Sequence, residues 1–405
     1  MIELIDSNAG FAKLRTEWDE VLQKSQSNCL FLTWEWVHTW WKHLSGKRRL
    51  FLVTMRHGEE LSAIAPLARK APSVLSCWPL ETLEFLGVGS VGSDYLDLIS
   101  RREREQDVLP ELSHYLTRKK SLLELAQINK HSCLAREFAG HWREAGGSLR
   151  ESDSNVCPII NLSGHTWESY LSTLGSEHRY NFRRKLRSLS NRFEVRFEQA
   201  RSEEERREAL TTLLDLHSAR WKNRGGSDAF CTPQIISFHD ELSSLALQRG
   251  WLRLFTLRLD GKPAASLYGF HYNRVFYFYQ SGFDPSYARY SVGLIAMGLA
   301  IQNAITEGVQ EYDLLHGDEG YKFHWALESR ALARLELYPP GSVGLACRHA
   351  RGFGKAMRRM VRDMLPQSVA ARLAKHKRKR AGRNPYVAPD CQDKHLPSFS
   401  LDRDG

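Results

Sequence analysis

The sequence predicts an α/β protein of mixed sheet and helix, built as two related halves with a basic helical tail behind them. Three observations carry this reading. The 405 residues exceed what one hydrophobic core serves, so two domains plus an extension are expected. A strand, a glycine turn and a second strand occur twice, at Leu50 to Pro66 and at Arg253 to Gly269, with Gly58 and Gly261 at equivalent points. Each copy follows a helical, Trp-bearing stretch, with Trp34, Trp36, Trp40 and Trp41 before the first and Trp221 before the second. Past Pro340 the composition turns basic.

In order along the chain, Met1 to Asp19 reads as a polar strand and an amphipathic helix, without the basic n-region and apolar h-region of a secretory signal. Gly87-x-Gly89-x-x-Gly92 matches a dinucleotide-binding fingerprint, but Tyr95 to Ile99 alternates like a strand where the motif needs a helix start, so a loop is expected. The boundary between halves is placed within Gly146 to Ser163, whose polar ESDSN stretch precedes a short strand, Pro158 to Leu162. This gives an N-terminal domain over 1–157, a second over 158–342 and a tail over 343–405. Helices are expected near Thr166 to Leu174, Glu177 to Arg192, Ser202 to Asn223 and Pro233 to Arg249. After the second hairpin come a tyrosine-rich strand, Arg274 to Gln280, and a loop through Asp284 and Pro285. A helix from Val292 to Glu307, a strand from Glu311 to Leu315, a glycine loop from Gly317 to Gly320 and a strand from Ala333 to Leu337 complete the body.

Composition excludes several classes. No apolar run approaches the roughly 18 residues that span a bilayer. The seven cysteines are scattered without C-x-x-C spacing, which argues against a disulfide framework and a zinc site and fits a reducing cytoplasm. His316 and His324 lack further ligand spacing, and no metal is expected. The net charge of +10 is local: Arg348 to Arg383 holds thirteen Lys or Arg against one acid, Asp363, so the remainder sums to −2. Phe353, Met357, Met360, Val361 and Met364 recur at helical spacing in that tail, with basic residues around them. Such a helix either lies on an anionic membrane surface or packs its Met face on its own domain, leaving KHKRKR disordered.

The chemistry concentrates between Ser266 and Trp325. The helix after the tyrosine-rich strand begins with Ser291 and Gly293, whose free N–H groups would attract phosphate, although capping alone also explains them. Around it stands an ordered series of segments. These are FLTWEWVHTWWKHL, AIAPL, LGVGSVGSDYLDL, LHSARWKNRGG, DGKPAASLYGF, YFYQSGFDPSYARYSVGL and YDLLHGDEGYK, spread from Phe31 to Trp325. The series resembles the CelD-type acyltransferases, GNAT-related proteins associated with bacterial cellulose and exopolysaccharide synthesis, and more distantly the FemAB peptidoglycan aminoacyltransferases.

The resemblance implies two tandem GNAT-like domains, acyl-CoA as co-substrate with no tightly bound cofactor, and a saccharide or lipid-linked acceptor. Peripheral membrane contact would come through the tail, and nucleic acid would enter only as tRNA in a FemAB-like alternative. A third expectation is a non-catalytic adaptor of polysaccharide assembly. The GNAT phosphate loop, Q/R-x-x-G-x-G/A, is only partly present, with Tyr290 first, Gly293 fourth and Ile295 last. On this resemblance the donor is held by Tyr279, Gln280, Ser281, Tyr290, Ser291, Val292 and Gly293. Asp313, His316 and Asp318 are the candidate bases, Tyr321 the acid for the leaving group, and Lys322 a cation for phosphate or carboxylate. Trp221, Tyr277, Asp284, Arg183 and Arg184 are expected on the acceptor side. The two arginines, in a basic helix, either hold a phosphate-bearing acceptor or pair with the acidic run Glu203 to Glu205 and Glu208.

Overall fold

A computed structural model describes residues 1–71, 80–89, 91–222, 227 and 229–364. The first half forms β1 (Ile2–Ile5), α1 (Asn8–Lys13), α2 (Arg15–Gln23), α3 (Trp34–Leu44), β2 (Arg49–His57) and β3 (Glu60–Arg69). It continues with β4 (Thr82–Phe85), β5 (Ile99–Ser100), α4 (Glu105–Arg118), β6 (Leu122–Asn129), α5 (Leu134–Glu144) and β7 (Ser148–Asn161). The second half forms α6 (Trp167–Thr173), α7 (Ser176–Ser190), β8 (Val195–Gln199), α8 (Glu203–Trp221), α9 (Pro233–Gln248), β9 (Leu252–Leu259) and β10 (Lys262–Tyr272). Then come β11 (Val275–Phe283), α10 (Val292–Thr306), β12 (Glu311–Asp313), β13 (Glu328–Tyr338) and α11 (Ser342–Met364).

Local chemistry sets these bounds. Ser202 and Glu205 form a reciprocal capping box at the start of α8, and Thr232 caps α9, whose first residue is Pro233. Strand β3 is buried along eight consecutive residues and reads as an apolar run, as a strand covered on both faces must.

All strands join one sheet, ordered β1-β2-β3-β4-β6-β13-β7-β12-β11-β10-β9-β8, with β5 paired beside β3. Read inward from either end, the order repeats. Four antiparallel strands, β1 to β4 or β8 to β11, are followed by a strand parallel to the fourth, β6 beside β4 or β12 beside β11. A helix, α4 or α10, makes the crossover in each case. At the centre the closing strands are exchanged: β7 of the first half pairs with β12, β13 of the second pairs with β6, and the two pair with each other. Each half thereby covers the strand edge that the other would leave open. The duplication read from the two hairpins is thus present in the topology, in a GNAT-like mixed α/β fold.

Two expectations change. The stretch Gly146 to Ser163 is almost wholly strand β7. Its polar ESDSN portion is half-exposed and pairs with β13 through backbone alone, and only Cys157 to Ile160 are buried together. The segment Tyr95 to Ile99 pairs only at Ile99, because Tyr95 adopts φ +56° and Asp97 turns inward to accept from the N–H groups of Leu134 and Ala135 at the start of α5.

Residues 1–348 form one compact unit and 349–405 another. The tail is helical as far as Met364, with Phe353 and Met357 exposed, while the KHKRKR stretch lies outside the described residues. No helix among the described residues is long and apolar enough to cross a membrane.

Candidate active site

Strands β11 and β12 run in parallel for only three residue pairs, from Val275–Glu311 to Tyr277–Asp313. There β12 ends and β11 continues to Phe283, so a gap opens between them. On its other side β11 slips register against β10 between Tyr268 and Gly269, leaving Tyr279 without a partner in that strand. Helix α10 begins beside the far end of β11. Its N-cap, Ser291, sits in the left-handed region at φ +58° and offers no side-chain cap. The N–H groups of Val292, Gly293 and Leu294 therefore have no partner among the described residues.

Gly293 and Leu294 open on a cavity of about 220 Å³. Gly293, Leu294 and Met297 of α10, Ser281 and Phe283 of β11, and Ser266 of β10 form part of its wall. Arg220 from the last turn of α8 enters beside Ser281 Oγ at 3.4 Å, its guanidinium over the rings of Phe283 and Trp221. Opposite stand Tyr321, His324 and His178. The two imidazoles stack at 5.5 Å, and burial together with His324 lowers the pKa of His178, keeping that ring neutral near pH 7. The Tyr321 phenol, on an exposed residue, keeps its proton near pH 7, as any phenol of ordinary pKa about 10 does. A larger open depression by Arg15 and Arg249 is a different matter, since both arginines pair with buried Glu35 and Arg249 also with Asp19.

Of the residues expected to hold a donor, Ser281 and Gly293 line this cavity, and Ser291 is the N-cap of the helix beside it. The Val292 side chain is core. Gln280 accepts from the Ser281 N–H at 3.1 Å. Tyr290 packs edge-on against Phe193, with Arg192 and Arg289 over its ring. Tyr279 turns away: its ring lies among Trp36, Tyr268 and Phe270, and its hydroxyl donates to the Val91 carbonyl at 2.5 Å.

The acceptor-side set is not assembled. Tyr277 is buried against Phe31, Asp284 caps its own turn through the Ser286 N–H, and Trp221 packs beside His217 at the end of α8. Arg183 pairs with Glu168, and Arg184 bonds Asn181 beside Tyr180. The acidic run does not answer this helix either, since Glu203 pairs with Arg206 and Arg207, and Glu208 with Arg258.

Among the candidate catalytic residues, Asp318 is exposed. Lys322 has a structural task instead of a ligand: it is buried, donates to the carbonyls of Leu315 and His316, and pairs with Glu319. Asp313 is fully buried, accepting from Tyr95 Oη at 2.6 Å and the Leu315 N–H at 2.7 Å. Burial pushes its carboxyl up to about 7. His316 is bound through Nδ1 and its backbone N–H to one carboxylate oxygen of Asp94, both at 2.9 Å. Asp94, Tyr95, Arg220 and His178 were not singled out from sequence, although Asp94, Tyr95 and Arg220 lie inside two of the segments that carry the resemblance. Among the described residues no group of three or more His, Cys, Asp or Glu is placed to hold a metal ion.

The sign of the Asp313 shift makes a prediction. A carboxyl whose folded pKa is raised contributes stability that is full below about pH 4, its unfolded pKa, and is lost as pH rises through about 7. Asp313→Asn, which keeps the shape and cannot ionise, should flatten the fall of the urea midpoint between pH 4.5 and 7.5. The wild-type and variant curves should diverge by about 3 kcal/mol over that range. Parallel curves would mean that Asp313 is ionised throughout.

Residues 176–323 match the acetyltransferase (GNAT) domain family. The chain superposes on FemX with a TM-score of 0.56 at 12% identity, over 82% of this chain and 96% of that one. It also superposes on a conserved protein of unknown function from Bacteroides thetaiotaomicron VPI-5482 (TM-score 0.54, 13% identity, 84% and 100% covered). A third neighbour is the C-terminal domain (DUF2156) of a putative lysylphosphatidylglycerol synthetase from Agrobacterium fabrum (TM-score 0.51, 13% identity, 85% and 96% covered). At these identities the likeness is one of fold. No curated protein sequence matches the chain. The matched region begins in α7 and ends just past Lys322, so Arg220, the start of α10 and Tyr321 lie within it and all of β1 to β7 outside it. The chain is an acyltransferase with a GNAT-type domain in its second half.

Proposed function

We propose that this enzyme transfers an acyl group from acyl-CoA to a hydroxyl or amine of a saccharide or lipid-linked precursor of the bacterial cell envelope, as in cellulose or related polysaccharide synthesis. One observation carries the donor half of the reading: Gly293 and Leu294 at the start of α10, whose amides have no partner among the described residues, share a cavity with Arg220 and Tyr321. Helix amides and a guanidinium suit a pyrophosphate. The cavity, at roughly 30 Å³ per water, holds the volume of about seven waters, enough for a thioester and the adjoining arm while the phosphates stay at its mouth.

Transfer is then direct, in a ternary complex. The thioester lies along β11 past the point where β12 ends, and β11 N–H groups beyond that point polarise its carbonyl. The acceptor nitrogen or oxygen attacks the carbonyl carbon, the C–S bond breaks, and Tyr321, protonated near pH 7, gives its proton to the departing thiolate. The positive tail would hold the enzyme at the anionic cytoplasmic surface of the membrane, where lipid-linked acceptors reside.

Thermal melting with acetyl-CoA, longer acyl-CoAs and free CoA tests the donor. A ligand that binds only the folded chain at 100 times its Kd stabilises it by about 2.7 kcal/mol, raising Tm by a few degrees. The absence of a shift with every one of them would overturn the acyl-CoA reading in favour of a tRNA-borne aminoacyl donor or a non-catalytic role.

A further inference from the structure

We infer that Asp94 of the first half and His316 of the second form the proton-accepting pair of the transfer reaction, so that the active site is completed across the two halves. This rests on the acyl-transfer reading above and adds its base. The carboxylate of Asp94 is fully buried and accepts from His316 Nδ1 at 2.9 Å, which fixes the neutral ring with its hydrogen on Nδ1 and its lone pair on Nε2. Gln127 Nε2 donates to the other Asp94 oxygen at 3.2 Å, and the Cys157 thiol lies 3.8 Å from the first, so the carboxylate is held on every side. Nε2 of His316 has no partner among the described residues, and the side chain is 33% exposed. A histidine oriented through one nitrogen by a buried carboxylate, and open at the other, is the arrangement of a general base.

Its position follows from two hydrogen bonds. The loop carrying Asp94 is tied to β11 through Val91, which accepts from Tyr279 Oη, and to β12 through Tyr95, which donates to Asp313. The loop is thus attached to both strands where they part, the place at which the thioester is expected. Gly92 of the same loop lies against the ring: a Cβ there would come within 2.7 Å of His316 Cε1. The backbone is strained around the pair. Eight described residues other than glycine adopt positive φ; Tyr95, Gln127 and Leu315 all hold or flank Asp94, Asp313 and His316, and Ser291 opens the donor helix. Strain of this kind persists where the surroundings enforce it, and it gathers at functional sites.

In the reaction, Nε2 takes the acceptor's proton as its oxygen or nitrogen attacks the thioester carbon. The thiolate released by C–S cleavage takes the Tyr321 proton, and the imidazolium returns a proton to the phenolate through water, so both groups end as they began. Asp94, facing His316, raises its pKa most; burial and, less strongly, Lys322 oppose this, and Glu319 adds to it. The pair therefore sets the acidic limb of the pH profile.

The test follows CoA release from acetyl-CoA by the purified full-length chain, with water and with glucosamine as nucleophiles, together with melting in acetyl-CoA. His316→Gln should lower kcat by about 10²- to 10³-fold and leave the KM for acetyl-CoA within threefold. Asp94→Asn should lower kcat about tenfold or more and move the acidic limb of kcat/KM to lower pH, with Asp94→Glu recovering part of both. Gly92→Ala, which changes no charge, should lower kcat by displacing the ring. A His316→Gln chain that still melts cooperatively and keeps kcat within threefold overturns the pair while leaving the donor site intact, and this variant decides the matter even if Asp94→Asn fails to fold. A wild-type chain that melts no higher with acetyl-CoA, longer acyl-CoAs or free CoA, and releases no CoA from any of the thioesters, overturns the acyl-CoA reading, and the pair with it.

Discussion

Gly293→Glu should weaken acyl-CoA binding about 100-fold while leaving the ligand-free Tm unchanged or slightly raised. The residue is exposed in the first turn of α10, and the nearest atom to an added Cβ is Phe283 Cδ1 at 3.6 Å, an ordinary contact. The side chain therefore fits. A carboxylate in the first turn interacts favourably with the positive end of the helix, worth about 0.3 to 1 kcal/mol to the fold. It does so, however, by occupying the amides that a donor phosphate would use and by repelling the phosphate, and two lost or reversed charge contacts of this kind amount to about 3 kcal/mol of affinity. Titration calorimetry with acetyl-CoA and melting without ligand check the two halves of the expectation. Unchanged affinity would mean that the donor's phosphates lie elsewhere.

Gly282→Val should destabilise the protein by about 3 kcal/mol, read from urea denaturation. Here β11 and α8 touch backbone to backbone. A Cβ on Gly282 would overlap the amide nitrogen of His217 and lie 2.7 Å from the Leu216 carbonyl carbon, neither of which can rotate away. The helix must lift off the strand. Since Arg220 follows within a turn of His217, the molecules that remain folded should also bind acyl-CoA more weakly. A variant as stable as wild type would show that the helix accommodates the shift, and its donor affinity would then decide whether Arg220 moved.

Much of the fold was legible because its signals are local. The α8 capping box, the Thr232–Pro233 start of α9, and the Gly58 and Gly261 turns each announce an element from adjacent residues. The duplication was legible in those turns as well. What could not be read locally is which side of β11 faces the donor. Strict alternation puts Phe276, Phe278, Gln280 and Gly282 on one face and Tyr277, Tyr279 and Ser281 on the other. The bulge at Tyr279 inverts the alternation, so Phe276 and Phe278 pack with the α10 side, Tyr277 and Tyr279 with the first-half core, and Ser281 and Phe283 return to the α10 side. That single unpaired residue is why Tyr279 does not line the donor cavity as expected and Ser281 does. Asp94 was missed for another reason. It lies 222 residues from His316, and a glycine-rich loop that fails as a dinucleotide site gives no local hint of the histidine it will meet.

The exchange of closing strands has a consequence for synthesis. Glu124 on β6 and its partner Arg334 on β13 are 210 residues apart. At roughly 5 to 20 residues per second, a ribosome needs about 10 to 40 s to deliver β13 after β6 has been made. For that interval the nascent first half carries an unpaired apolar strand at its rim, a site that holding chaperones recognise. Late arrival of one segment thus governs when either half matures. For the same reason a stop codon or a cut ahead of β13 would leave the first half with an open strand edge despite its intact sequence.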